Sequence, residues 1–308
     1  MNRAVLWLLA LLAAAAMPLV LSSYHVDLAT RILIFAVLAM SIDVLAGFVG
    51  RTSLCHGAIF GVATYVAIWA MAKGGLPAPA AFLAGVVAAT LVAALFGLLA
   101  VRTSGVYFLL LTVALGMVVW GICLRWTGVT GGENGLRGQD MRPALLLARE
   151  HFYWFVLGVA ALAAWGMQRF VGSPFGLSLR GIRDSESRMR ALGYNVPLHL
   201  FVGFAVSGFF AGVAGALYAF FNEYVSPSSV AMGQSVAGLL MAIVGGVGTL
   251  FGSFIGAAAI IMLENTVSWY TDRWQAVLGL VFILTMIFAP EGILGTIRRL
   301  AAATRRAR

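Results

Sequence analysis

Residues 31–50 read RILIFAVLAMSIDVLAGFVG: after Arg31 no charge appears until Asp43, and the run closes on Gly47 and Gly50. About 20 such residues, rising 1.5 Å each as helix, cross the ~30 Å hydrocarbon core of a bilayer. The pattern recurs along the chain. Of 308 residues, 62% are hydrophobic and 10% charged, against about 25% charged in an ordinary soluble domain. A water-soluble fold is excluded. An outer-membrane barrel would alternate apolar and polar residues, which these runs do not. The expected fold class is therefore all-α integral membrane: a polytopic helical bundle of about ten transmembrane segments, broken or re-entrant helices among them.

The candidate segments are 4–21, 31–49, 53–72, 78–101, 105–124, 152–170, 200–221, 233–250, 252–270 and 274–290. The eighth and ninth are joined through Gly245, Gly246, Gly248 and Gly252 and read equally as two short spans, a broken helix or a re-entrant pair. Residues 1–30 form an N-terminal span with an outer loop, 31–296 the transmembrane domain, and 297–308 a basic tail. The first span imitates a secretory signal, but Pro18 to Leu21 prolong its apolar run and no good small-x-small site follows, so it is expected to remain uncleaved.

The net charge of +9 would ordinarily suggest nucleic acid. Here the basic residues sit singly at segment ends or in two clusters, Arg180 to Arg190 and Arg298 to Arg308, without the interleaved aromatics of a nucleic-acid site. They read as orientation signals that place both termini in the cytoplasm. On that topology 125–151 is a long outer loop, flexible, polar and unable to span, and 172–199 is the main cytoplasmic structure. Within the latter, Asp184 or Ser185 can cap a short helix, Arg188 and Arg190 suit its last turn, and Gly193 suits the position just beyond it. Met189 and Leu192 then share one apolar face. Cys55 and Cys123 fall near opposite faces, so no disulfide is expected between them.

Little here resembles an enzyme. The phosphate-binding pattern Gly-x-x-x-x-Gly-Lys-Ser/Thr is absent, and Lys73 is the only lysine. His25, His56, His151 and His199 are scattered, so neither a metal site nor a nucleophilic triad is expected. Two intramembrane carboxylates, Asp43 and Glu264, either line a polar path or bond neighbouring helices, the second reading being the better supported. Gly245, Gly246 and Gly248 are denser than packing needs and are candidates for backbone lining a water-filled route. Ser53, His56 and Tyr65 join them as solute contacts or as polar packing. Gly203, Gly208, Gly212 and Gly215 read as close-packing surface. Gly47-x-x-Gly50 and Gly245-x-x-Gly248 form a weak internal echo of the paired interruptions that mark transporter pathways.

Residues Gly47 to Gly61 resemble the glycine-x-x-glycine, serine-leucine, histidine, phenylalanine-glycine signature of LivM-type permeases, within the LivH/LivM family of branched-chain amino-acid ABC importers. Ser104 to Thr112, Thr130 to Leu136, Ser173 to Gly176, Leu179 to Glu186, Ala191 to Asn195, Ser207 to Ala219, Gly245 to Thr249 and Ala289 to Gly295 follow in order. The resemblance departs at Arg51 and Cys55, which bears on the substrate. It implies an inner-membrane permease subunit with no cofactor of its own, translocating an amino acid, branched-chain in the family's pattern, by alternating access. Its partners would be a LivH-type permease subunit, two cytoplasmic ATPases that bind ATP, a periplasmic binding protein and membrane lipid. It also implies that 172–199 couples to the ATPase through Arg180, Arg183, Glu186, Arg188, Met189 and Leu192. A urea, amide or aromatic-acid importer of the same family stays open, as does an ion-coupled secondary carrier.

Overall fold

The structure, a computed structural model, describes residues 13–19, 21–271, 273–288 and 292–296. Helix α1 (Ser23–Asp43) runs on into a π-helical turn, Val44–Val49, and ends at Gly50 in the left-handed conformation. It is followed by α2 (His56–Ala72), α3 (Ala78–Ala100), α4 (Gly105–Arg125) and α5 (Arg149–Gly172). Two shorter helices, α6 (Pro174–Asp184) and α7 (Glu186–Ala191), precede the long α8 (Val196–Asn222). Then come α9 (Met232–Gly245), α10 (Gly252–Val267) and α11 (Trp274–Phe288).

Among the described residues, five helices are long and apolar enough to cross a membrane: Ser23–Val49, α3, α4, α5 and α8. The described residues thus bear out a helical membrane bundle and do not confirm about ten spans. Segment 53–72 shrinks to the 17-residue α2, and 233–250 and 252–270 shrink to helices of 14 and 16 residues, about 21 and 24 Å long. Glycines set two of these limits: Gly246 and Gly248, at positive φ, follow the end of α9, and Gly50, also at positive φ, closes the run from Ser23 to Val49. Segment 4–21 is described over 13–19, where it is helical, and at Leu21; the end of 274–290 and the tail 297–308 lie outside the described residues.

Burial runs from the middle outward. The best 18-residue window of α1 is 83% buried and that of α4 only 22%. Leu83, Val87, Leu91, Leu95 and Leu98 stand exposed along one side of α3, the outward apolar surface that suits lipid rather than water. Inside, α8 packs through small residues: a Cβ on Gly212 would lie 2.7 Å from the Ala89 Cβ, and Gly208 approaches Ala93 more closely still. The close-packing reading of that glycine row is correct.

The loop expected to be flexible is pinned across one end of the bundle. Leu136–Arg137 pairs antiparallel with Tyr224–Val225. Arg142 donates to the carbonyls of Phe220 and Phe221 at 2.9 and 3.0 Å and lies over the Phe152 ring, satisfying the last carbonyls of α8. The opposite end of the bundle carries α6 and α7.

Candidate functional site

At the α6–α7 end, three glycine motifs distant in sequence meet. A Cβ on Gly47 would lie 2.5 Å from the Gly248 amide nitrogen and 2.6 Å from its Cα. Gly292, at φ +72°, abuts Gly246. The two halves of the internal echo are thus in close backbone contact, with the Asp43 carboxylate beside them at 2.6 Å from the same position.

Asp43 locks this junction. Its Oδ1 accepts the Gly248 N–H at 2.6 Å and its Oδ2 accepts the Leu250 N–H at 2.8 Å, and the residue is fully buried. Leu250 has φ +52°, a left-handed backbone costing on the order of 1 kcal/mol for a residue with a Cβ. The carboxylate holds that strained turn in place.

From the other side, α6 reaches in. Ser173 caps the helix by accepting the Gly176 N–H at 3.2 Å, and Pro174 takes its first position. This directs Arg183 toward α1: its Nη1 donates to the Gly47 carbonyl at 2.6 Å, and its stem fills the space that a side chain on Gly50 would need. Arg180 lies over the Phe48 ring at 4.9 Å. A continuous path therefore runs from α6 through Gly47 to Asp43 and the α9–α10 turn.

Helix α7 is capped as its sequence suggests: the Ser185 hydroxyl accepts the Arg188 N–H, and Gly193 follows at φ +85°. Glu186 bonds Arg190 at 2.6 Å and Arg51 at 3.2 Å. Arg51 also donates to the Thr103 carbonyl, tying α7 to the α3–α4 turn. Burial lowers the Arg51 guanidinium from its ordinary value, and Glu186 works in the opposite direction. One expectation is corrected here. Met189 does not share an outward face with Leu192: it is 8% exposed, with its sulfur against Gly181, whereas Leu192 is 67% exposed. The missing side chain at Gly181 opens the inner slot that Met189 fills.

The remaining path candidates lie elsewhere. His56, Ser53 and Ser207 form a buried network: His56 Nε2 is 2.7 Å from Ser207 Oγ, Nδ1 is 3.2 Å from Ser53 Oγ, and Ser207 donates to the Ser41 carbonyl at 2.5 Å. Because the one Ser207 proton goes to Ser41, the neutral ring must donate through Nε2 and accept at Nδ1. This pins α1, α2 and α8 together. Tyr65, further along α2, is buried, and its hydroxyl makes no hydrogen bond to a described residue. Glu264 stands apart on α10, paired with Arg31 of α1 at 2.9 Å. Thus Asp43, Gly245, Gly246 and Gly248 form one site, with Ser53 and His56 at a second, Tyr65 at a third and Glu264 at a fourth. Sequence reasoning did not find the Arg31–Glu264 pair, because its members are 233 positions apart. Cys55 and Cys123 are both free and buried.

Residues 24–289 match the family described as branched-chain amino acid transport system, permease component. The chain is 27% identical to the high-affinity branched-chain amino acid transport system permease protein LivM of Salmonella typhimurium, and to that of Escherichia coli, across 94% of this chain and 74% of each relative. It is 26% identical to the probable branched-chain amino acid transport permease protein LivM of Methanocaldococcus jannaschii, across 42% of this chain and 39% of that protein. No solved structure matches the chain.

Proposed function

The chain belongs to the family of branched-chain amino acid transport permeases, and from that premise we propose that it forms the LivM-type half of an ATP-driven inner-membrane importer for branched-chain amino acids. As a permease subunit it is not an enzyme; ATP hydrolysis resides on partner subunits. In the proposed assembly a LivH-type subunit completes the passage, two cytoplasmic ATPases bind ATP, and a periplasmic binding protein delivers the solute. The α6–α7 end faces the cytoplasm, as the arginines at 180, 183, 188 and 190 favour.

The observation that carries this reading is the path from Arg183 to the Gly47 carbonyl and on through Asp43 to the Gly248 and Leu250 amides. ATP binding moves the ATPases, and with them α6 and α7. The close contact of Gly47 with Gly248, together with the Asp43 carboxylate bonded to the Gly248 and Leu250 amides, passes that motion to the α9–α10 hairpin. Leu192 is exposed, as are Arg188 and Arg190; these supply the ATPase-facing surface, while Arg180, Arg183, Glu186 and Met189 work inside the subunit.

Two readouts test the proposal. Co-purification should recover a periplasmic binding protein that binds a branched-chain amino acid, and liposomes holding the full assembly should take that solute up with ATP. The chain alone should move none. Uptake by the chain alone under a proton or sodium gradient would replace the proposal with a secondary carrier, and a binding protein selective for urea, an amide or an aromatic acid would change the solute.

A further inference from the structure

A cavity of about 320 Å³ lies between α1, the Pro227–Val230 turn, α9 and α10. It is walled by Phe35, Ala237, Met241 and Ile261, with Arg31 and Glu264 on its surface. At ~30 Å³ per water-sized group it holds on the order of ten heavy atoms. Taking the importer reading as its basis, we propose that this cavity is a binding site for a zwitterionic amino acid with an apolar side chain. Its carboxylate would sit on Arg31, its ammonium on Glu264 and its side chain against Phe35 and Met241.

Two observations separate this from a plain clamp between helices. First, the pair is only part-buried, and it uses a single guanidinium nitrogen: Nη2 donates to both Glu264 oxygens at 2.9 and 3.1 Å. Nε and Nη1 make no hydrogen bond to a described residue, and each carboxylate oxygen keeps a lone pair. Second, α1 is already tied to α10 without this pair, since the Tyr24 hydroxyl donates to Asn265 Oδ1 at 2.9 Å. A cationic donor and an anionic acceptor, both with spare capacity at the mouth of an apolar pocket, match the two charged ends of one small zwitterion.

The test is cysteine protection in the assembled importer in liposomes, with Ala237→Cys as reporter; Cys55 and Cys123 are buried and free. L-leucine should slow maleimide labelling at least fivefold. Neither 4-methyl-2-oxopentanoate, which lacks the ammonium, nor 3-methylbutylamine, which lacks the carboxylate, should do so at the same concentration. Glu264→Gln should raise the leucine concentration needed by about tenfold, the weight of one charge-assisted hydrogen bond. The analogue comparison needs no second variant, so a misfolded Arg31 or Glu264 mutant does not weaken it. Unchanged labelling in an importer that still takes up leucine with ATP overturns the site and leaves the transport reading standing. Equal protection by all three compounds overturns the charge pairing. Protection by leucine alone in an assembly that moves no amino acid supports the site and overturns the transport reading.

Discussion

Replacing Asp43 with asparagine tests the glycine junction most directly. The carboxylate gives one oxygen to the Gly248 N–H at 2.6 Å and the other to the Leu250 N–H at 2.8 Å. Asparagine keeps one acceptor but turns an NH2 group toward the second amide. One charge-assisted bond, worth about 1.5–3 kcal/mol, is lost, and a buried donor is stranded. The neutral amide is cheaper to bury than a carboxylate, which offsets part of the loss. A net cost of about 2 kcal/mol follows, a factor of about 30 in the opening of the turn, since ~1.4 kcal/mol is tenfold. Hydrogen exchange read by mass spectrometry on a peptide covering 246–251, in nanodiscs, measures that opening. Asp43→Asn should speed exchange there about thirtyfold while leaving α3 unchanged, and should lower ATP-driven uptake. Exchange within threefold of the wild type would refute the locking role. Unchanged exchange with abolished uptake would point instead to a carboxylate that acts in transport chemistry.

Further expectations follow from the same geometry. Arg183→Met removes the bond to the Gly47 carbonyl; ATP hydrolysis by the assembly should persist while solute moved per ATP falls severalfold, measured in parallel on one preparation. Leu192→Asp should leave the isolated subunit's thermal stability within about 0.5 kcal/mol, as exposed substitutions do, yet prevent co-purification of the ATPases. Met189→Asp places an unpaired charge in the slot beside Gly181 and should lower the melting temperature of the subunit itself; equal stability of the two variants would contradict the inward placement of Met189. Arg142→Met removes the cap on the Phe220 and Phe221 carbonyls, and limited proteolysis should cut within 138–148 at least tenfold faster.

Much of the chain's architecture was open to direct reading. A run such as 31–50 points to a membrane helix, because an apolar stretch of that length with so few charges is poorly solvated by water. Local chemistry was equally legible where it depends on neighbours in sequence: Ser185 and Gly193 bracket α7, since capping uses donors and φ values within one turn. The glycine row of α8 announced close packing, and Gly50, Gly246 and Gly248 announced interruptions.

Helix ends escaped the sequence because an apolar run does not say where within it a glycine ends the helix, which is how 233–250 became the 14-residue α9. Met189 escaped because its direction is set by a slot on a different helix. The Arg31–Glu264 pair and the contact of Gly47 with Gly248 join residues some 200 positions apart. Sequence alone determined that this is a helical membrane permease with breaks at its glycines. Only the tertiary structure decided which breaks touch and which charges face a cavity, because in a bundle surrounded by lipid both faces of a helix are apolar and periodicity no longer tells inside from outside.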